Sequence, residues 1–194
     1  VAVVMNFTCH PTVQGGFEIS PDYPGFAQKT VEKHYCGRAV ALFTNGPCGD
    51  IRPNLTDRRT NRFRSGTKKD SARLGNLLAR EVVRVAEAVR CVPPLVLRAA
   101  SRVVRLPLEK TPKKFHVPAE VQLLRVGDTV FAGLPGEIFC EIGSAVRRRL
   151  LPAETFVVGY ANGEFGYIPT ARALAEGGYE PSDSIEVYGL PGRF

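Results

Sequence analysis

The sequence has no apolar stretch long enough to cross a membrane, although 44% of its residues are hydrophobic. It also has no basic-then-apolar segment of the kind that directs secretion. Its five cysteines are an odd number, lie far apart and form no Cys-x-x-Cys pair. These absences argue against a disulfide framework and a structural zinc ribbon, and they favour a reducing compartment. The free cysteines and the lack of a visible signal therefore favour a cytoplasmic location without fixing the compartment.

The chain has 194 residues, which is enough for one domain with a substantial core or for two small ones. It begins at Val1, already inside an apolar run and without an initiator methionine. That beginning leads us to expect that part of the functional protein lies outside this chain.

The net charge is +7, and the basic excess lies mainly in residues 52–114 and 147–149. A solvated basic face is the common explanation of such a pattern. Attraction to nucleic acid or to an acidic membrane surface is the alternative. Nucleic-acid modules usually interleave aromatic residues with basic ones, whereas here only Phe63 lies within the stretch "DRRTNRFRSGTKK". We therefore predict no nucleic-acid partner and retain a peripheral membrane contact through the basic surface as an alternative.

Apolar periodicity and Gly/Pro punctuation predict alternating strands and helices. The predicted strands cover 1–7, 38–45, one or two segments within 95–108, a hairpin over 120–135, and 155–162. The predicted helices cover 25–36, 69–90 and 137–150. This alternation indicates an α/β fold, with a mixed sheet, flanking helices and a ligand site at the carboxyl ends of the strands.

Two of the predicted helices have a clear apolar face. In the helix over 69–90 the expected core positions are Leu74, Leu77, Leu78, Val82, Val85 and Val89. In the helix over 137–150 they are Ile138, Phe139, Ile142, Val146 and Leu150.

Polar side chains follow the predicted strands at several points. His10 follows the first strand, Asp50 the second, and Glu137 comes after "AGLPG" at the predicted start of a helix. Tyr160 and Tyr167 follow the last strand. Each has an ordinary structural explanation, such as a hydrogen-bonded histidine, a helix-dipole glutamate or a packed tyrosine. If the strands are parallel neighbours, however, their ends converge, and an imidazole, a carboxylate and a phenol together suit zinc.

Five sequence blocks carry a family resemblance. They are "NFTCHPTV", "SPDYPGFAQ", "FTNGPCGDIRPN", "RVGDTVFAGLPGEIFCEIG" and "VVGYANGEFGYIPTARALAEGGYE". In this order they resemble the neutral/alkaline (non-lysosomal) ceramidase family over nearly the whole chain. The resemblance implies a zinc-dependent hydrolase that cleaves a linear amide bond of a small-molecule or lipid-like substrate. It also implies that residues 1–194 form a single α/β domain, cut at both ends, of a larger catalytic domain. Family members are often secreted or membrane-associated, so the resemblance leaves secretion open.

The resemblance also implies roles for individual residues. It makes His10, Glu137 and Tyr167 zinc ligands, and it makes Tyr179 the donor that stabilises the oxyanion. Zinc would polarise the scissile carbonyl and activate a water molecule. Asp50 is the further site candidate, with the role of shaping the "GPCGD" loop rather than transferring protons.

The sequence departs from the family pattern at two points. The family's other zinc histidine lies upstream in an "HTHSG"-like motif that this chain lacks, so we expect a missing N-terminal segment or another chain to supply it. His34 and His116 stand in unrelated contexts. Gly46 stands where the family has a serine thought to be catalytic. Cys48 lies nearby, but no histidine base adjoins it in the sequence, so we expect a structural role for it.

Three interpretations follow from these observations. The first is a zinc amidohydrolase of the ceramidase type. The second is a related hydrolase acting on another ester or amide, which Gly46 favours. The third is a non-catalytic domain whose basic surface binds lipid or nucleic acid.

Overall fold

The computed structural model describes residues 1–90, 96–109, 111 and 115–194. The strands are β1 (Ala2–Phe7), β2 (Val40–Asn45), β3 (Leu97–Pro107), β4 (His116–Val126), β5 (Thr129–Gly133), β6 (Glu137–Ile138), β7 (Glu154–Val158) and β8 (Tyr167–Ile168). The helices are α1 (Asp22–His34), α2 (Lys68–Ala88), α3 (Cys140–Leu150), α4 (Ala171–Glu176) and α5 (Ile185–Tyr188), with a π-helical turn at Tyr179–Asp183. The predicted α/β class, with a mixed sheet and flanking helices, is confirmed.

The chain divides into two compact units. Unit 1 comprises Val1–Thr44 and Arg52–Val92, and unit 2 comprises Asn45–Ile51 and Pro93–Phe194. The expectation that residues 1–194 form a single domain of a larger protein stays a prediction. One of the five cysteines, at position 91, lies outside the described residues.

Unit 1 is built from β1, β2, α1 and α2. Its core contains Met5 from β1, Ala41 from β2, Ala27 and Val31 from α1, and Ala79 from α2. The other face of the two-stranded sheet is open, because alternate residues of each strand point away from the helices. The prediction that residues 1–7 form a strand is confirmed, but its burial is limited to one face.

The contact between α1 and α2 uses small residues. Ser71, Gly75 and Ala79 are the buried residues of α2, and they recur every four positions. Residues at this spacing lie on one face of a helix, so the two helix backbones can approach closely along this line. The larger side chains of α2 flank the contact.

The observed buried face of α2 differs from the predicted one. Leu78 and Val82 pack against the core of unit 1, as predicted. Leu77, Val85 and Val89 are exposed, so the prediction was wrong for these three. The helical spacing of the large apolar residues identified part of the buried face of α2. The most deeply buried positions, however, are the small residues Ser71, Gly75 and Ala79, which a search for large apolar side chains does not detect.

We expect Gly75→Ala to destabilise unit 1, although alanine favours a helix over glycine by about 1 kcal/mol. A Cβ atom at position 75 would overlap the Tyr23 carbonyl oxygen and lie 2.6 Å from the Phe26 Cβ and 2.9 Å from the Ala27 nitrogen. Overpacking of this kind typically costs 1–3 kcal/mol, so the free energy of unfolding should fall by about 1 kcal/mol. Urea denaturation measures it, and an increase in stability would contradict the close helix contact.

Unit 2 contains a four-stranded sheet in the order β3-β4-β5-β7. β3, β4 and β5 are antiparallel neighbours, and the predicted hairpin turns at Gly127 and Asp128 between β4 and β5. β5 and β7 are parallel, with Phe131 opposite Phe156. The carboxyl ends of β5 and β7 therefore meet at one edge of the sheet.

Helix α3 covers the core face of this sheet. Ala132 of β5 and Val157 of β7 are fully buried there, with Leu134 and Ile138 beside them. The side chains of α3 that pack onto this cluster are Ile142, Val146 and Leu150. The predicted core positions Ile142, Val146 and Leu150 are therefore confirmed, whereas Ile138 and Phe139 are buried but precede the helix. Among the described residues, no helix combines the length and apolarity of a membrane span.

Candidate active site around Glu137

Glu137 lies on the short strand β6, and this corrects the prediction that it begins a helix. Its backbone N–H donates to the Gly166 carbonyl (2.8 Å), and β6 pairs in parallel with β8 so that Glu137 lies opposite Tyr167. Gly136 precedes it with a φ of 73°, in the left-handed region that favours glycine. Helix α3 begins only at Cys140.

Glu137 is 5% exposed, and hydroxyl groups of nearby tyrosines donate to both of its carboxylate oxygens. The Tyr160 hydroxyl donates to Oε2 at 3.0 Å. The Tyr188 hydroxyl donates to Oε1. A buried carboxylate needs hydrogen-bond donors to offset the loss of water, and these two phenols supply one donor to each oxygen.

Tyr160 reaches Glu137 through an unusual backbone conformation. Its φ is 58°, and its N–H donates to the Gly136 carbonyl at 3.1 Å. A non-glycine residue in this region carries a conformational cost that the surrounding structure must offset. The chain therefore turns sharply just after β7 and directs the phenol to the carboxylate. The Cys48 sulfur lies 3.8 Å from the same hydroxyl.

Tyr167 brings further aromatic side chains to the carboxylate. Its hydroxyl is hydrogen-bonded to Glu137. Its ring packs edge to face against Tyr179, with centroids 6.2 Å apart, and against Tyr188, with centroids 6.1 Å apart. Glu137, Tyr167 and Tyr179, which the sequence assigned to one site, thus form one connected group in unit 2.

Burial dominates the electrostatics of this group. It raises the pKa of Tyr160, Tyr167 and Tyr188 well above the ordinary value for tyrosine, and the nearby Glu137 carboxylate adds to each shift. Burial also raises the pKa of Glu164, whose carboxylate accepts the Gly166 N–H at 2.7 Å. The three phenols are therefore protonated at neutral pH and act as hydrogen-bond donors.

Asp50 contacts the first residue of α3. Its Oδ1 accepts the Cys140 N–H at 2.7 Å, and its Oδ2 accepts the Cys140 thiol at 3.0 Å. Burial and this contact raise the pKa of the Cys140 thiol to about 11. Asp50 thus ties the "GPCGD" loop to α3, a contact suited to the loop-shaping role, and its catalytic relevance stays a prediction.

His10 belongs to unit 1, in the loop after β1. The neighbouring Cys9 is buried, its carbonyl accepts the Tyr23 hydroxyl at 2.6 Å, and burial raises the pKa of its thiol to about 11. The Cys9 carbonyl thus contacts α1, and the Cys9 thiol donates to the His10 carbonyl at 3.6 Å. Assignment of His10 to the same site as Glu137 rests on the sequence resemblance alone.

The donor set in unit 2 fits part of a zinc site. A carboxylate and a phenol lie side by side at Glu137 and Tyr167, and zinc accepts oxygen ligands together with histidine nitrogens. Across the described ranges, however, there is no cluster of three or more histidine, cysteine, aspartate or glutamate side chains that could hold a metal. A complete zinc site needs further ligands in addition to this pair, and histidine nitrogens are among the groups that zinc accepts.

Two contacts of Glu137 were not assigned from the sequence. Tyr160 was noticed as a polar residue after a strand, but nothing there linked it to Glu137. Tyr188 lies in "SIEVYGLPG", which carries no recognisable signal. Both contacts form because the segment after β7 and helix α5, which are distant from Glu137 in the sequence, lie next to β6 in the structure.

Comparison with known proteins gives matches at the level of structure. The crystal structure of neutral ceramidase from Pseudomonas aeruginosa matches with a TM-score of 0.72 and 19% identity, over 91% of this chain and 40% of that one. A structure of ceramidase complexed with C2 matches with a TM-score of 0.72 and 17% identity, over 92% and 41%.

No protein-family model matches the chain, and no curated protein sequence matches it significantly. The chain spans about two fifths of the length of the two matching structures. The resemblance noted in the sequence is confirmed for the fold: this chain has the fold of part of neutral ceramidase.

Proposed function

We propose that this chain is part of a zinc-dependent hydrolase, related to neutral ceramidase, that cleaves the N-acyl bond of a small or lipid-like substrate. The observation that carries the proposal is the buried Glu137 carboxylate facing Tyr167, inside a fold similar to part of neutral ceramidase. Buried carboxylates are rarely retained without specific partners. Glu137 has hydroxyl donors as partners, and a carboxylate is also an oxygen ligand that zinc accepts.

In this proposal the residues of the chain have separate roles. Glu137 and Tyr167 hold the metal, with His10 as a third ligand. When bound, zinc supplies the Lewis acidity that polarises a carbonyl and makes water a nucleophile near neutral pH. Tyr179 donates a hydrogen bond to the carbonyl oxygen as negative charge develops on it. Asp50 fixes the "GPCGD" loop, which includes Cys48, by accepting a hydrogen bond from the N–H of Cys140 at the start of α3.

A second candidate is hydrolysis of a different amide or of an ester by the same residues. Gly46 favours it, because the resemblance places a serine at that position. Cys48 does not replace that serine convincingly. It is buried, and its sulfur contacts the Tyr160 hydroxyl, which donates to Glu137.

The experiment is zinc analysis of the purified chain, followed by assays on matched N-acyl amines and esters. We expect about one zinc per chain, loss of that zinc in His10→Ala, and faster hydrolysis of the N-acyl amines. His34→Ala is the matched control, because His34 is an exposed residue paired with Glu87 at 2.9 Å.

The outcomes separate the candidates. Zinc with hydrolysis confined to esters would favour the second candidate. A folded chain without zinc or hydrolysis would contradict both. Retention of full zinc in His10→Ala would remove His10 from the ligand set.

A further inference from the structure

We infer that Tyr160 and Tyr188 are positioning residues that hold the Glu137 carboxylate in the orientation in which it meets a metal. This inference rests on the proposed function and adds two residues that neither the sequence motifs nor the resemblance assigned. We call Tyr160, Tyr188 and Glu137 the carboxylate clamp.

The clamp closes on Glu137 from two separate parts of unit 2. Tyr160 comes from the turn after β7 and donates to Oε2 at 3.0 Å. Tyr188 comes from α5 and donates to Oε1. With one phenol on each oxygen, the carboxylate loses its freedom to rotate about its last bond.

Both tyrosines are themselves held rigidly. The Tyr160 backbone is fixed in the left-handed region by its bond to the Gly136 carbonyl. The Tyr188 ring packs directly on Gly166, where an added Cβ would lie 2.9 Å from a ring carbon. Gly166 has a φ of 102°, so this position both requires glycine and leaves room for the Tyr188 ring.

The clamp leaves the carboxylate able to bind a cation. A carboxylate has about four acceptor sites. The hydroxyls of Tyr160, Tyr188 and Tyr167 account for three of them, which leaves acceptor capacity for a cation. Hydrogen-bond partners of this kind orient metal ligands in proteins, and their loss typically lowers metal affinity or activity by 10- to 100-fold. Tyr167, the other proposed metal ligand in unit 2, is the residue paired with Glu137 in the parallel β6–β8 strands.

The first test measures zinc affinity of the whole chain by chelator competition. We expect Tyr160→Phe and Tyr188→Phe each to lower it about 10- to 100-fold while circular dichroism stays unchanged. Tyr35→Phe is the matched control, because Tyr35 lies at the end of α1 in unit 1, and its affinity should equal that of the unchanged chain. Unchanged affinity in both site variants would overturn the positioning role.

The second test needs no metal and so separates this inference from the proposed function. Tyr160→Phe and Tyr188→Phe are each made in the zinc-free chain and again in a Glu137→Gln background. We expect each to lower the melting temperature more when Glu137 is present, because the hydroxyl then loses its carboxylate partner. Equal losses in the two backgrounds would overturn the clamp. A clear difference between the backgrounds would support the hydrogen bonds of the clamp. If the first test also showed that the unchanged chain binds no zinc, the proposed function would be contradicted while the clamp remained.

Discussion

Glu137→Gln is expected to lower zinc affinity by more than about 100-fold and to reduce N-acyl hydrolysis to near the background rate. Removing a residue that merely orients a ligand costs 10- to 100-fold, so neutralising the ligand itself should cost more. Glutamine keeps the side-chain volume and one acceptor oxygen, which limits the disturbance of a residue that is 5% exposed.

The measurement combines zinc content after dialysis with the initial rate on an N-acyl amine. Glu141→Gln serves as the matched control, because Glu141 lies on the surface of α3 and pairs with Arg172 at 3.4 Å. We expect this control to keep both zinc and activity. If Glu137→Gln also kept both, the central carboxylate of the proposed site would have no catalytic importance.

Tyr179→Phe is expected to reduce kcat by about 100- to 1,000-fold, the usual effect of removing one oxyanion donor. The change should leave KM and zinc content nearly unchanged, because the hydrogen bond strengthens only as the transition state forms. Two structural features of Tyr179 motivate this prediction. Its ring packs edge to face on Tyr167, while 49% of the residue remains exposed and accessible to a substrate.

Steady-state kinetics on the zinc-loaded chain would measure this effect, with Tyr35→Phe again as the control outside unit 2. A variant that loses zinc along with activity would show that Tyr179 supports the metal site instead. A variant with unchanged kcat would exclude Tyr179 as the oxyanion donor.

These two predictions use residues recognised from the sequence, whereas the carboxylate clamp was visible only in the structure. The short blocks around Glu137, Tyr167 and Tyr179 are local in the chain, so a resemblance can identify them without knowledge of the fold. The Tyr188–Glu137 contact joins residues 51 positions apart, and the Tyr160–Glu137 contact joins residues 23 apart. Neither contact leaves a periodic pattern in the sequence.

The same distinction explains the error at Glu137. Ile138, Phe139, Ile142 and Val146 follow a helical spacing, so the pattern predicted a helix from residue 137. In the structure the first two of these residues precede α3. The N–H of Glu137 instead bonds to the Gly166 carbonyl, and that of Phe139 to the Ile168 carbonyl. Backbone pairing with a distant strand overrides a local helical pattern.

The sequence alone determined the α/β class, the main helices and the β4–β5 hairpin, because periodicity and turn residues are local properties. The resemblance of short local motifs supplied the candidate residues of the site, whose roles stay predictions. Only the tertiary structure decided which face of α2 is buried, that Glu137 lies on a strand, and which phenols hold its carboxylate. These features depend on close backbone approach at Gly75 and on contacts between residues far apart in the chain. Packing and long-range hydrogen bonds set them, and no local pattern encodes either.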